Sequence, residues 1–246
     1  MTFPYKKALV IGGSRGVGRD LSLKLAKAGV RTVSVARNAA DLDSLSAEAP
    51  AIEAVACNAA DNGVAETLLA DHAPDLLLLV GGHNPKMQSI TDMSWSDFSA
   101  AWEIDTKIAF CFTRAALQAP MSEGSAIVSF ASGAAIGGSP LSGGYAGAKR
   151  MQHLVSNYGQ WEADRRSLGL TFTTIYPKQL IAGTRIADRA ASAYADARSM
   201  SAKQFMSQWD QPLTPQFIGD QVMELLQQEA GSATYGITAT GREIMA

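Results

Sequence analysis

Two cysteines and three histidines are the only thiols and imidazoles that these 246 residues carry. Cys57 and Cys111 stand far apart with no histidine or cysteine beside them, which fits neither a zinc site nor a disulfide framework. Both read as small core residues, and a reducing, cytoplasmic setting is the expectation. An excess of one charge is missing too. The 21 Lys and Arg against 23 Asp and Glu leave a net −2, which argues against nucleic acid and against an anionic membrane as partners. No apolar run approaches the ~18 residues of a membrane-spanning helix, and the longest, Leu76 to Val80, has the length of a strand. Met1 to Lys7 holds no apolar segment of signal-peptide length, so export is not expected. Neither an internal repeat nor a linker-like stretch interrupts the chain, and a single domain over 1–246 is expected.

Apolar residues make up 47% of the chain, enough for a large core. They gather in short runs at Ala8–Ile11, Thr32–Ala36, Ile52–Cys57, Leu76–Val80, Ser125–Phe130 and Leu170–Tyr176, with room for a helix in nearly every gap. Strands apolar on both faces that alternate with helices predict an α/β fold, a Rossmann-type, doubly wound parallel sheet flanked by helices on both faces. Ser94 caps a predicted helix whose inner face is Phe98, Trp102, Ala109, Phe112 and Ala116, and Asp105 falls on that same face. A second helix is predicted from Gly143 to Arg166 with Ala148, Met151, Leu154, Val155 and Tyr158 inward. Thr214-Pro215 starts a third, with Ile218, Val222 and Leu225 as its stripe. The segment 185–213 has weak periodicity; it reads as a lid over a pocket or as a surface helix pair.

Directly after the first strand comes Gly12-Gly13-Ser14-Arg15-Gly16-Val17-Gly18, followed by a helix. Glycines there let backbone N–H groups close on a pyrophosphate at the helix N-terminus. The second strand ends Ala36-Arg37-Asn38, where an NAD site would carry an acid for the ribose hydroxyl. Arg37, with Arg15 in the loop, suits a 2′-phosphate instead, so NADP(H) is expected over NAD(H); two solvated surface arginines are the alternative. Further on, Tyr145 and Lys149 stand one helical turn apart with only small residues between them, and Ser132 ends the preceding strand at the ligand-binding edge of such a sheet.

Through Gly12, Gly16 and Gly18, Ser132, Tyr145 and Lys149, and Tyr176-Pro177, the chain resembles the short-chain dehydrogenases/reductases (SDRs) over nearly its whole length, as an outlying member. The resemblance implies an enzyme that moves hydride between a nicotinamide and the carbonyl or secondary alcohol of a small organic substrate, working as a homodimer or homotetramer. Its implied catalytic residues are Ser132, Tyr145 and Lys149, with Asp105 where the family has Asn. Lys149 would lower the Tyr145 phenol toward the working range, and Ser132 would hydrogen-bond the reacting oxygen. The cofactor would be held by Gly12, Ser14, Arg15, Gly16, Val17 and Gly18, by Arg37 and Asn38, and by Asn58 and Ala59. Gly81, Gly82, Tyr145, Lys149, Pro177, Leu180, Ile181 and Thr184 complete that set, and no metal is implied.

Several positions depart from the family. An ionised Asp105 would pair with Lys149 and partly cancel its effect on Tyr145. Leu79-Val80-Gly81-Gly82, followed by His83-Asn84-Pro85, replaces the usual Asn-Asn-Ala-Gly, Asn58 an Asp, Ile11 a loop-bracing Thr, and Lys178 a Gly. His83 and Asn84 could reach the site. These changes keep a different class of protein open, a non-catalytic NADP(H)-binding sensor or scaffold. Met87, Trp95, Met200, Met206 and Trp209 are candidates for an apolar substrate pocket or for packing.

Overall fold

Runs such as Val10-Ile11 or Leu76 to Leu79 have no polar face to offer water, so they are stable only where both sides of a strand are covered. In the computed structural model, which describes residues 3–119, 121–228 and 231–245, they form the middle of one eight-stranded sheet. The strands are β1 (Lys7–Ile11), β2 (Arg31–Ala36), β3 (Glu53–Ala56), β4 (Leu76–Leu79), β5 (Ala126–Phe130), β6 (Thr171–Pro177), β7 (Thr234–Thr238) and β8 (Gly241–Ile244). Their order is β3-β2-β1-β4-β5-β6-β7-β8, parallel throughout except for antiparallel β8. Strand positions alternate between two cores. Leu9, Ile11, Leu77 and Leu79 face one helical layer; Ala8, Val10, Leu76 and Leu78 face the other. The α/β doubly wound architecture expected from the sequence is the one observed. The sequence reading misses the edge pair β7 and β8, because TYGIT and GREI mix polar residues and glycine as edge strands do.

The helices are α1 (Gly16–Lys27), α2 (Ala39–Glu48), α3 (Val64–His72), α4 (Trp95–Ala101), α5 (Lys107–Gln118), α6 (Ala134–Gly137), α7 (Tyr145–Arg165), α8 (Arg185–Ala197), α9 (Ala202–Met206) and α10 (Pro215–Gln227). Ser94 caps α4 and Thr214 caps α10, each accepting a backbone N–H, as predicted. Between α4 and α5 lies a π-turn, Trp102–Thr106. Its extra residue shifts the helical phase, so Trp102 turns outward at 43% exposure while Asp105 is fully buried. Tyr158, expected inward, is 61% exposed. Ala148 and Val155 are buried as expected, and beyond them the inner face of α7 continues through the small residues Ser156, Gly159 and Ala163: a Cβ on Gly159 would lie 2.6 Å from the Phe172 ring and 2.9 Å from Thr113. The 185–213 segment forms α8 and α9. Its stripe is Ala187, Ala190, Ala191 and Ala195, too weakly apolar to stand out in sequence, and a capping box of Ser201 and Gln204 starts α9.

Strand order reverses between β1 and β4, and this opens a crevice at their carboxyl ends. There the backbones touch. A Cβ on Gly12, whose φ is +89°, would lie 2.3 Å from Gly81 Cα, and one on Gly18 would lie 2.1 Å from the Gly12 carbonyl oxygen. The Ile11 carbonyl accepts N–H from both Val80 and Gly81, at 3.0 and 2.7 Å. Where Ile11 brings no bracing hydroxyl, two serines supply one: Ser34 donates to Ser22 (2.7 Å), and Ser22 donates to the Gly18 carbonyl (2.9 Å). Gly12→Ala combines a backbone clash with a left-handed φ, and should lower stability by about 2–4 kcal/mol in urea unfolding. An unchanged midpoint would mean that the β1–β4 contact is not tight.

Candidate active site

Ser132 follows the carboxyl end of β5, and Tyr145 and Lys149 occupy the first two turns of α7. Gly143 and Gly144 let α7 begin against α4, since a Cβ on Gly144 would stand 2.3 Å from the Phe98 carbonyl oxygen. The three side chains converge. Tyr145 is close enough to Ser132 for that hydroxyl to influence its ionisation, and the Lys149 ammonium lies 5.7 Å from the centre of the Tyr145 ring. Lys149 donates to the Phe130 carbonyl at 3.2 Å, and Ser132 Oγ accepts the Ala134 N–H at 3.2 Å.

Behind them sits Asp105, with Oδ2 3.2 Å from Lys149 Nζ. Its Oδ1 accepts the backbone N–H of His83 in a short hydrogen bond, and its own carbonyl accepts from Gln152 Nε2 at 3.2 Å. A Cβ on Gly82 would fall 2.7 Å from Oδ2 and 2.8 Å from Oδ1. The Gly81-Gly82 pair therefore does two things, meeting Gly12 on one side and making room for the carboxylate on the other.

Burial pushes the Tyr145 hydroxyl above the ordinary phenol range. Lys149 and the Ser132 hydroxyl pull it down, Asp105 pushes it up, and the upward direction wins. The expected lowering by Lys149 is thus present but outweighed. Burial alone would depress Lys149, yet the nearby Asp105 and Tyr145 hold its pKa above the usual lysine range. A raised lysine contributes stability that persists through neutral pH and is lost only in the alkaline range.

A cleft of about 400 Å³, within the size range of cofactor sites, runs along the sheet edge. Most of the cofactor residues expected from sequence line it. Gly12, Ser14, Arg15, Gly16, Val17 and Gly18 form one end, Arg37, Asn58 and Ala59 the next stretch, then Gly81 and Gly82. Ser132, Tyr145, Lys149, Pro177, Leu180, Ile181 and Thr184 complete the wall. Asn38 does not line it; its side chain accepts the Asp41 N–H and caps α2. Asp105, with no exposed surface, acts only through its neighbours. Asn58 reaches the cleft, but its Oδ1 already accepts the Ala60 N–H at 3.3 Å. His83 and Asn84 both line the cleft, and burial lowers the His83 pKa.

Beyond several apolar residues of the wall, two lining residues with long polar side chains were not expected from the sequence. Arg185 at the start of α8 is close enough to Arg15 to lower its pKa, after burial, as Arg37 also does more weakly. A cation at a helix N-terminus opposes the helix dipole, and that was the available signal. Gln179 is the other; its buried Oε1 has no hydrogen-bond partner. Lys178, where the family has Gly, turns away from the cleft, crosses Gly236 and pairs with Glu243 on β8.

The N-terminus of α1 has no side-chain cap and no acid in its first turn, so its N–H groups are free for an anion. Three guanidinium groups, Arg15, Arg37 and Arg185, gather near it, with Asp41 a distant 3.9 Å from Arg15. The glycine approach, the uncapped helix and these cations together fit a phosphate-bearing dinucleotide. A second cavity of about 330 Å³ shares Ser132, Tyr145 and Gln179 with the cleft. Met87 and Trp209 line it; Trp95, Met200 and Met206 do not. Trp95 is exposed and stacks on Phe98. Among the described residues there is no metal-binding cluster, and no helix long and apolar enough to cross a membrane.

The family model of the short chain dehydrogenases matches residues 6–191. L-xylulose reductase of Mesocricetus auratus is 32% identical over 102 residues, 42% of each chain. D-erythrulose reductase of Gallus gallus is 38% identical over 79 residues, 32% of each, and carbonyl reductase (NADPH) 2 of Sus scrofa 34% over 110 residues, 45% of each. These matches span less than half the length of the curated relatives. Among solved structures, a short-chain dehydrogenase/reductase of the glucose/ribitol dehydrogenase type from Brucella melitensis superposes with a TM-score of 0.75 at 19% identity, over 96% of this chain and 97% of that one. A short chain dehydrogenase from Mycobacterium avium gives the same TM-score at 20% identity, over 98% of this chain and 84% of that one.

Lys149→Met would strand the Asp105 carboxylate in the interior. The expected cost is about 3–5 kcal/mol at neutral pH. Urea unfolding checks this, with Asp105→Asn added to Lys149→Met expected to recover part of the loss; a double variant no more stable than Lys149→Met would mean that the pair is not coupled.

Proposed function

The chain belongs to the short chain dehydrogenase family, and from that premise we propose that it is an NADP(H)-dependent carbonyl reductase acting on a small organic ketone or aldehyde. The observation that carries this reading is the meeting of Ser132, Tyr145 and Lys149 where the phosphate-suited cleft joins a second cavity. The nicotinamide, when bound, supplies the hydride. The Tyr145 phenol, kept protonated by burial, is the proton source for the carbonyl oxygen. Ser132 donates a hydrogen bond to that oxygen as negative charge develops on it. Lys149 supplies the fixed positive charge beside the phenol, and Asp105 keeps that ammonium charged and in place. A phenol held neutral favours reduction over alcohol oxidation, which would need the phenolate.

Preference for NADP(H) rests on Ala36 at the position of the usual acid and on Arg15, Arg37 and Arg185 around the 2′-phosphate end. The relative named for NADPH points the same way. Association into a homodimer or homotetramer is supported by large aromatics exposed on two packed helices, Phe110 on α5 with Tyr158 and Trp161 on α7. The non-catalytic sensor reading draws on Asp105 in place of Asn and on the loss of the family's Asn-Asn pair. It predicts cofactor binding without turnover.

Tyr145→Phe should cut NADPH-dependent turnover by about 10²–10⁴-fold while cofactor binding, read by fluorescence titration, persists. Asp105→Asn removes a charge that raises the phenol pKa, so the alkaline limb of the pH–rate profile should move to lower pH. A profile that does not move would remove Asp105 from the proton path. Arg37→Ala should weaken NADPH binding about 10-fold or more and leave NADH nearly unaffected; equal losses would overturn the 2′-phosphate assignment.

A further inference from the structure

The second cavity is not built for a polyhydroxylated substrate. Much of its wall is apolar, with Met87, Leu180, Ile186, Tyr194, Phe205 and Trp209 all lining it, and Gln179 Oε1 is a polar lining atom left without a partner. Phe205 stacks on Tyr194 with ring centres 5.7 Å apart, and Trp209 meets its edge at 5.9 Å. Several polar groups that might have read sugar hydroxyls are spent on one another. Ser139 Oγ and the Tyr194 hydroxyl share a hydrogen bond of 2.8 Å, and that same hydroxyl accepts the Leu141 N–H at 3.2 Å. Ser142 Oγ donates to the Ser139 carbonyl at 3.0 Å. These bonds also pin α8 to the loop that leads into α7, so the apolar wall is held over the catalytic end.

Two cations line the cavity, and they differ. Lys178 is neutralised by Glu243. Arg198, at the end of α8, has no carboxylate within ion-pair distance among the described residues; its guanidinium lies 5.2 Å from the centre of the Phe205 ring. A guanidinium over an aromatic floor keeps its in-plane N–H donors free, and those donors match a carboxylate in a two-point hydrogen bond. At the reactive end, Ser132 and Tyr145 take the carbonyl oxygen. The cavity thus has a polar reacting end, an apolar middle and a cationic rim.

We infer that the substrates are ketones with an apolar, ring-sized body and a carboxylate remote from the carbonyl, held by Arg198, and that neutral polyol ketones are poor substrates. This deepens the reductase reading and rests on it. The test follows NADPH oxidation with 4-acetylbenzoate, acetophenone and xylulose in the wild-type protein and in Arg198→Met and Arg198→Lys. The expected kcat/KM for 4-acetylbenzoate exceeds that for acetophenone at least tenfold, with xylulose slowest. Arg198→Met should bring the first ratio close to one, chiefly through KM, and Arg198→Lys should keep a preference for the acid. Xylulose as the best substrate, or an acid preference untouched by Arg198→Met, overturns the inference. If none of the three is reduced while NADPH binds, the reductase reading fails on its own. Calorimetric titration with 4-ethylbenzoate then decides the cavity: binding lost in Arg198→Met supports it, and equal or absent binding in both proteins overturns it.

Discussion

A carboxylate without solvent contact, 3.2 Å from a buried ammonium, is the interaction on which the candidate site of this protein depends. Neither charge is tolerable alone in that environment, and together they fix one another. Asp105 reaches its position because a π-turn interrupts the helix at Trp102–Thr106 and because Gly82 carries no side chain. Lys149 is in turn anchored to the end of β5 through the Phe130 carbonyl, one residue short of Ala131-Ser132. Helix, loop and strand are thus locked through two side chains, and Tyr145 sits in the field they make.

That field has a chemical consequence. A lone lysine beside a tyrosine draws it toward the phenolate; here burial outweighs that pull, and the carboxylate behind the lysine adds to the upward shift. The arrangement keeps the phenol a donor. In the reading proposed above, this suits a protein that delivers protons to a carbonyl oxygen, while the lysine stays charged across the whole neutral range.

The central architecture was legible in the sequence because it is written in period and length: apolar strand runs separated by helix-sized gaps, with glycines where β1 turns into α1. Caps at Ser94 and Thr214 were equally plain. The last hairpin, β7 and the edge strand β8, was not, since neither TYGIT nor GREI carries a continuous apolar run. Trp102 and Tyr158 were assigned to buried faces that a π-turn and a small-residue helix contact turn outward, neither of which periodicity alone reveals. In the candidate site, motif spacing pointed to residues on the cleft wall but took Asn38 for one of them, when that side chain was needed as a helix cap. Arg185 and Gln179 join the cleft only through the path of the chain after β6, and the partners that occupy Ser139, Ser142 and Tyr194 come from segments far apart in sequence.

The most direct test of the account is the ionisation of Tyr145 itself. Tyrosine labelled with ¹³C at Cζ, with Tyr145→Phe to assign the resonance, allows its titration to be followed by NMR. The account predicts that Tyr145 remains protonated through neutral pH and titrates above the ordinary phenol range. Ionisation near neutral pH, ahead of the exposed tyrosines, would contradict it.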